Sequence, residues 1–344
     1  MIYMDRKTML RIVAAVAVVF ILVGGVYLIR TLLTPDSDYV AGHAGVEILV
    51  DIPTGATGSE IATLLASKGV VKSFKAFFSA AVADPRSSQI APGSHRLSTH
   101  IPAREALAQL LDTKRITNLI RVAEGAWTDE IISQMVGVGF KKTDLLAAMT
   151  QIHRPNEFSG NEGLFFPAQY SFGSQSSALQ ALQTMVDRFA LEARASGIDK
   201  GGDGFSPMQL LTIASIVQAE GDSADFGKIS QVIRNRLKLG MPLQLDTTVH
   251  YVTRTRGQVF LSTDATRTAS PYNTYLHYGL PPGPIGNPGR AAMEAALHPV
   301  PGNWIYFITV APGDTRFTDS SSQFLTWKSD YEKNLAAGAF GRKP

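Results

Sequence analysis

The sequence predicts an α+β protein with a single N-terminal transmembrane helix, a small α/β subdomain and a larger α+β domain. Three observations predict this organisation: an uncharged apolar run over residues 12–29, a strand–helix pattern that occurs twice before residue 145, and mixed helices and strands without strict βαβ order after residue 206. The 344 residues exceed one small domain, and 45% of them are hydrophobic, so large buried cores are expected.

The apolar run predicts a membrane anchor. As a helix its eighteen residues span about 27 Å, which is close to the thickness of a bilayer's hydrocarbon core. Arg6, Lys7 and Arg11 precede the run, so the positive-inside rule keeps the N-terminus in the cytoplasm and places the rest of the chain on the outer face. The prediction is therefore a single-pass protein of the cytoplasmic (inner) membrane.

The predicted boundaries are a cytoplasmic tail over 1–11, the membrane helix over 12–30 and a small, polar linker over 31–45. A cleaved signal peptide and a buried soluble helix are the alternatives. The length of the run and the lack of a following A-x-A site favour an uncleaved anchor over a signal peptide. The polar segment that directly follows the run argues against a buried soluble helix.

A pattern of strand, turn, helix, glycine and second helix occurs twice, at an offset of 70 residues. The first copy covers 52–74 and the second 122–143. In the first copy, Thr57 and Glu60 have the spacing of a capping box, which predicts a helix that begins there and ends near Gly69. Such units bind glycans or brace a larger domain, and neither copy contains a catalytic constellation. Between the copies the sequence predicts a strand over 94–98, a helix over 102–112 and a strand over 117–122.

The second half of the chain follows a break rich in glycine and aspartate over 196–206. The elements predicted after it are helices over 207–220, 225–239 and 290–297 and a strand over 304–310.

The helix over 207–220 ends in a carboxylate. Apolar residues cover nearly every face of this helix, which predicts that it is buried. Glu220 lies in the last turn, where burial and the helix dipole both disfavour its charge, and Gly221 is the expected helix stop. Both effects raise the pKa of Glu220, as a general acid near neutral pH requires. Alternatively, Glu220 reaches solvent or pairs with Arg234 or Arg236.

A polar and aromatic loop stiffened by prolines covers residues 270–289. Aromatic rings stack on the apolar faces of sugars, and amides bond hydroxyl and N-acetyl groups, so this composition indicates a sugar-binding wall. For each residue singly, a role in the loop or core is the alternative. The candidate sugar contacts are Tyr272, Asn273 and Tyr275 of this loop, together with Gln244 and Asp246 of the earlier LQLD segment.

Five segments carry a family resemblance through their order and spacing: IASIVQAEG, VIRNRL, GMPLQLDTTV, SPYNTYLHYGLPPGPIGNPG and IYFITVAPGDTRFT. Taken together, they resemble the YceG-like family of endolytic murein transglycosylases. The resemblance covers residues 10–335, and the YNTY…GLPPGPI…NPG block is its most specific part. It implies a LysM-like subdomain over 46–120 and a YceG-like catalytic domain over 121–340.

The resemblance implies a lytic transglycosylase, a carbon–oxygen lyase of class EC 4.2.2.-. Such an enzyme cleaves the β-1,4 bond between MurNAc and GlcNAc inside nascent peptidoglycan strands and leaves 1,6-anhydro-MurNAc ends. It implies that Glu220 acts as general acid and then as base, without cofactor or metal. Asn235 and Glu124 join the candidate substrate contacts. The implied partners are glycan strands, the cytoplasmic membrane and peptidoglycan synthases.

The chain departs from the family pattern at three points. Gln218 stands where the family usually has a first glutamate, the segment 313–317 lacks the usual histidine, and the segment 166–170 lacks an aspartate. Two alternatives stay open. A hydrolysing muramidase needs a second carboxylate, for which Asp246 and Asp222 are candidates. A non-catalytic scaffold would bind peptidoglycan, with Gln218 marking lost activity.

The composition excludes several other classes of protein. The chain has no cysteine, so it has no disulfide, thiolate nucleophile or cysteine-ligated metal site. Its net charge of +3 arises from residues 1–35, and the rest of the chain lacks the basic surface of a nucleic-acid-binding protein. The seven histidines are scattered, and neither H-E-x-x-H nor G-x-S-x-G occurs, which argues against a metal or serine hydrolase.

Overall fold

The computed structural model describes residues 37–53, 55–173, 175–256 and 264–340. Its mixture of helices and small antiparallel sheets confirms the α+β class. The predicted cytoplasmic tail and membrane helix, residues 1–30, lie outside the described residues. Among the helices in the described ranges, none is long and apolar enough to cross a membrane.

The described chain forms two compact units, of which the first ends at Thr117 and the second begins at Asn118. In the first unit the three strands form an antiparallel sheet in the order β1-β2-β3. Its core contains Val50, Leu65, Phe77 and Leu97. The elements of this unit are β1 (Glu47–Ile52), α1 (Gly58–Ser67), α2 (Phe74–Ala83), β2 (Gly93–Ser98), α3 (Ala103–Leu111) and β3 (Ile116–Thr117).

The predicted capping box of α1 is confirmed. The Thr57 hydroxyl accepts the backbone N–H of Glu60 at 3.3 Å, and the Glu60 carboxylate accepts the backbone N–H of Thr57 at 2.7 Å. Two of the orphan donors at the helix start are thereby satisfied. The predicted strand over 94–98 and helix over 102–112 are also confirmed, to within one residue at each end.

The second unit contains the buried helix from which the candidate site is built. Its two small sheets are the antiparallel pairs β4-β5 and β6-β7. The elements are β4 (Leu119–Arg121), α4 (Thr128–Gly137), α5 (Lys142–Gln151), β5 (Gln169–Ser171), α6 (Ala178–Ser196), α7 (Pro207–Glu220), α8 (Phe226–Lys238), α9 (Asp246–Thr253), α10 (Arg290–Leu297), β6 (Tyr306–Ala311), β7 (Asp314–Thr318) and α11 (Ser321–Ala336).

The repeated pattern is confirmed in both units. Helices α1 and α4 begin and end at positions that differ by 70 residues. Gly69 and Gly139, which follow them, both adopt positive φ angles of 69° and 108°, and this left-handed backbone favours glycine. The predicted strand over 117–122 is wrong as one element. Asn118 adopts a positive φ of 57° and divides it into β3 and β4, which pair with different strands.

Helix α7 forms the centre of the second unit. Eight consecutive residues, 210–217, are buried, and the helix contacts α8, α9 and α10. The prediction of a buried helix over 207–220 is thus confirmed, including both ends. The long helix α6 was not predicted, although its buried Leu182, Met185, Val186 and Phe189 follow helical spacing.

Candidate active site

A cavity of about 390 Å³ lies at the C-terminal end of α7. Four stretches of sequence meet there: the loop before α4, the last turn of α7, helix α9 with the residues after it, and the proline-rich loop. A cavity of this size, with polar groups on its wall, is of the kind that holds a small ligand. The wall includes Glu124, Trp127, Gln218, Glu220, Thr247, His250, Arg256 and Ile285.

Glu220 is the last residue of α7 and points into this cavity. Protein atoms surround most of its side chain, and the residue keeps an intermediate exposure where it faces the cavity. The Thr247 hydroxyl donates a hydrogen bond of 2.5 Å to its Oε1. Because Thr247 lies in the first turn of α9, this bond joins the ends of two helices at the cavity wall.

Glu220 forms no ion pair with Arg234 or Arg236 within the described residues. Arg234 pairs with Asp203 at 2.9 Å, and buried Arg236 donates to the carbonyls of Leu243 and Ile305. The alternative in which an arginine neutralises Glu220 by direct contact is therefore not seen.

The environment favours the protonated form of Glu220. Its pKa is raised from 4.5 to about 7, chiefly by burial and in part by the charge of Asp246. The hydrogen bond from Thr247 and the more distant charge of Arg236 act in the opposite direction. The side chain can therefore give and take a proton near neutral pH.

The shifted pKa predicts that the free energy of unfolding depends on pH. Between about pH 4.5 and 7 folded Glu220 holds a proton that the unfolded chain has released, so stability falls as pH rises through this range. The loss is about 2 to 3 kcal/mol, allowing for solvent at the cavity wall. Urea unfolding of the wild type and Glu220→Gln at pH 5 and pH 8 measures it. Equal pH dependence in the two proteins would contradict the shift.

Gly221 ends α7 in a different way from the one predicted. Its φ of −164° is extended backbone, so it is not the left-handed stop that the sequence suggested. A Cβ at this position would lie 2.5 Å from Cδ1 of Ile229 on α8. A larger residue here would therefore require the Ile229 side chain to shift.

Gln218 and Glu124 lie together at the start of α10. The side-chain oxygen Oε1 of Gln218 accepts the backbone N–H of Gly289 at 3.0 Å. The Glu124 carboxylate packs so closely on Gly289 that a Cβ there would collide with it. The structure thus brings Glu124 and Glu220 to the same cavity, together with the amide that replaces the usual glutamate.

Asp246 and Tyr275 form a pair beside the site. The Tyr275 hydroxyl donates a hydrogen bond to Oδ1 of Asp246, and burial raises the pKa of Tyr275 well above its usual value. Asp246 is the first residue of α9 and directly precedes Thr247, which contacts Glu220. The pair therefore holds the turn that carries Thr247, and its charge acts on Glu220.

Asn273, one of the predicted sugar contacts, is buried and bonded within its own loop. It is completely buried, and its amide donates to the carbonyls of Thr266 and Thr268 at 3.0 and 2.8 Å. Its Oδ1 accepts the N–H of Tyr275 at 3.0 Å. Through these bonds the Asn273 side chain holds the loop in the conformation that positions Tyr275.

Asn235 likewise braces backbone. Its amide donates to the carbonyls of Gly302 and Trp304 at 2.9 and 2.8 Å, and its oxygen accepts from Gln231. Asn235 is not among the residues that line the cavity. Its bonds hold the segment before β6, and its contact with sugar stays a prediction.

Gln244 and Tyr272 also lie outside the cavity wall. Gln244 is exposed and adopts a left-handed backbone with a φ of 47°, and its N–H donates to the carbonyl of Thr274. The ring of Tyr272 packs against that of Tyr251 at 5.1 Å between centroids. Of the predicted residues, the structure thus brings Glu124 and Glu220 to the cavity and places Asp246 and Tyr275 directly behind its wall.

Several wall residues were not predicted. Trp127 is only 7% exposed, and the guanidinium of Arg256 lies 3.9 Å from its ring centre. Thr247 and His250 face the cavity from successive turns of α9. Thr247 could have been predicted from the sequence, because it directly follows the candidate Asp246. No local sequence pattern indicates that Trp127 and Arg256 lie in contact.

Asn287 of the proline-rich loop fixes one side of the cavity. It is completely buried, and its Oδ1 accepts the N–H of Phe165 at 2.8 Å. Its amide donates to the carbonyl of Ala126 at 2.8 Å and to Glu162 at 3.2 Å. The neighbouring Ile285 and the loop that carries Trp127 are held in register by these bonds.

The chain is similar to known proteins in both sequence and structure. A model of the YceG-like family matches residues 50–329. The endolytic murein transglycosylase of Bacillus subtilis (strain 168) is 30% identical over 336 residues, covering 90% of this chain and 91% of that protein. The protein of the same name from Streptococcus pneumoniae serotype 2 is 29% identical over 180 residues, covering 51% of this chain and 32% of that one.

A solved structure is also similar. The crystal structure of a yceG-like protein from Listeria monocytogenes matches with a TM-score of 0.55 and 27% identity, and covers 82% of this chain and 99% of that chain. These matches confirm the similarity that the five sequence segments indicated.

Proposed function

Because the chain belongs to the YceG-like family, we propose that it is a lytic transglycosylase that cleaves peptidoglycan glycan strands. The observation that supports this most directly is Glu220, a carboxyl group on the cavity wall whose surroundings raise its pKa to about 7. Such a group is protonated in a large fraction of molecules at neutral pH and readily exchanges its proton.

In the proposed reaction Glu220 first donates its proton to the oxygen of the β-1,4 bond between MurNAc and GlcNAc. The bond to C1 breaks, and the N-acetyl group of the MurNAc stabilises the positive charge that develops there. The carboxylate of Glu220 then takes the proton of the C6 hydroxyl, whose oxygen bonds to C1. The products are a GlcNAc hydroxyl end and a 1,6-anhydro-MurNAc end. Water is not consumed, so the reaction is that of a lyase.

The surroundings of Glu220 suit both steps. Burial keeps the acid protonated for the first step, and the hydroxyl of Thr247 stabilises the carboxylate that results. Asp246 raises the pKa of Glu220 through its charge, and its Oδ1 accepts the Tyr275 hydroxyl. Burial and the charge of Asp246, opposed by the Thr247 hydrogen bond, thus place the pKa of Glu220 near neutrality.

We expect Thr247→Val to move the alkaline limb of the pH–rate profile to higher pH. The Thr247 hydroxyl stabilises charged Glu220, so its removal raises the pKa of the acid. Cleavage rates measured from pH 5 to 9 test this. Thr184→Val is the control, because that hydroxyl donates only to the carbonyl of Gln180 on α6. An unchanged or acid-shifted limb in Thr247→Val would count against this role.

Hydrolysis is the second candidate reaction, and Glu124 is the observation that favours it. It supplies an exposed carboxylate on the wall of the same cavity, as a hydrolysing muramidase would require. Mass spectrometry of digested peptidoglycan separates the two reactions, because an anhydro end is one water lighter than a reducing end. The proposal expects anhydro ends from the wild type and from Glu124→Gln. Reducing ends that disappear in Glu124→Gln would support hydrolysis.

Gln218 is compatible with activity in this proposal. Its oxygen accepts the N–H of Gly289, a bond that a glutamate at the same position would also make. The substitution therefore preserves the wall while removing one negative charge near Glu220. Binding of glycan strands without any new ends would instead support a non-catalytic scaffold.

We further propose that residues 12–30 anchor the protein, with the units after residue 37 on the outer face of the cytoplasmic membrane. Residues 46–120 would serve as a LysM-like unit beside nascent strands, where synthases extend them. The uncharged run and the basic residues before it support this proposal. Extraction at alkaline pH tests it: the full chain should stay with the membrane, and a chain that begins at residue 37 should be released.

A further inference from the structure

A second cavity, of about 580 Å³, lies along helices α4 and α5. Its floor is aliphatic and consists of Ile132 and Val136 from α4 with Leu146 and Met149 from α5. Val136 and Leu146 are 41% and 50% exposed, which is unusual for two large apolar side chains on the wall of one cavity. We call this cavity the α4–α5 groove.

The groove adjoins the cavity of about 390 Å³ that Glu220 lines, which we call the catalytic cavity. Two pairs of near neighbours in sequence divide between the two cavities. Trp127 lines the catalytic cavity and Thr128 lines the groove, and in the same way Arg256 lines the catalytic cavity and Arg254 the groove. Between them stands a stack in which the Arg254 guanidinium lies 4.4 Å from the ring centre of Tyr251 and 5.3 Å from that of Trp127. A ligand in the catalytic cavity with a branch could therefore reach across this stack into the groove.

The charged groups of the groove lie at its polar margins. Arg254 contacts Asp129 through a long ion pair of 3.4 Å between partly exposed side chains. Exposed Lys142 adds a cation from the start of α5. Such an exposed pair is weak and readily exchanged for a carboxylate of a ligand, to which the arginine fork can donate two parallel bonds.

This chemistry suits a short peptide better than a sugar. Sugar sites present aromatic faces and planar amides, whereas the described residues that line the groove include no aromatic ring. Aliphatic side chains with two cations fit small apolar side chains and carboxylates. The stem peptide of peptidoglycan has both, since it contains alanines and free carboxylates, and it branches from the lactyl group of MurNAc.

We propose that the α4–α5 groove binds the stem peptide of the MurNAc residue whose bond is cleaved, a proposal that rests on the proposed function. The alanine methyl groups pack on Val136 and Leu146, and the peptide carboxylates pair with Lys142 and Arg254. The second copy of the sequence repeat, which has no catalytic constellation, thereby acquires a role in substrate selection.

The test compares two substrates that differ only in the peptide: glycan strands with stem peptides, and the same strands stripped by an amidase. The groove variant is Lys142→Glu with Leu146→Ser. Its matched control is Lys333→Glu with Leu191→Ser, which changes the same residue types at exposed positions on α11 and α6. The measured quantity is kcat/KM for anhydro-end formation by the full chain, with Lys142→Ala as a milder second variant.

We expect the groove variant to cleave peptide-bearing strands about tenfold more slowly, which corresponds to about 1.4 kcal/mol of binding, and stripped strands at the wild-type rate. The wild type should prefer peptide-bearing strands, and the control variant should keep that preference. Equal slowing on both substrates, or no slowing on either, would overturn the proposal. If the wild type forms no anhydro ends from either substrate, the proposed function itself fails.

Discussion

Replacing Glu220 with glutamine is expected to abolish cleavage, lowering the rate of anhydro-end formation by about a thousandfold or more. The amide has nearly the same shape as the carboxylic acid and can still accept the hydrogen bond from Thr247. It cannot donate a proton to the leaving oxygen or recover one from the C6 hydroxyl. Both steps of the proposed reaction are lost through one change, with little change in the cavity wall.

The control for this prediction is Gln218→Glu, two residues away on the same helix turn. Its oxygen can still accept the N–H of Gly289, so we expect little change or a gain in rate. Thermal unfolding of both variants checks that they fold, and Glu220→Gln should be at least as stable as the wild type at pH 8. Cleavage that persists in folded Glu220→Gln would remove Glu220 from the mechanism.

Asn287→Ala is expected to reduce the free energy of unfolding by about 3 to 4 kcal/mol. The substitution leaves the buried N–H of Phe165 without its acceptor and removes one bond each to Ala126 and Glu162. Unsatisfied buried polar groups cost far more than the net value of a hydrogen bond. The loop before α4 also loses its tie to the proline-rich loop, so the rate of cleavage should fall as well.

Urea unfolding at pH 7 measures this effect against Asn156→Ala. Asn156 is exposed in the same unit, and its substitution should change stability by no more than about 0.5 kcal/mol. Asn287→Asp is a second variant that keeps the acceptor for Phe165 and loses the two donors. Equal stability of Asn287→Ala and Asn156→Ala would show that the buried bonds contribute little.

Local patterns in the sequence predicted several elements of the fold, whereas helices α6, α9 and α11 were not predicted. The bounds of α7 and α10 agree with the prediction at both ends, because an apolar run with a proline start or a glycine boundary is a signal contained in the segment itself. The same holds for the capping box at Thr57. The prediction was wrong for the stretch 117–122, which Asn118 divides between two sheets. The bounds of a strand depend on the strands that it pairs with, and these are not given by the local sequence.

The candidate site shows the same division between local and long-range information. The sequence by itself determined the family, the buried helix and the carboxyl group at its end, because these follow from residue order and apolar spacing. Only the tertiary structure decided that Thr247 contacts Glu220, that Asn273 and Asn287 are used inside the protein, and that Glu124 shares the cavity. Asn287 bonds residues that lie 122 and 161 positions away in the chain. A buried polar side chain bonds whichever partner the folded chain brings within reach, so the residues next to it in the sequence do not indicate that partner.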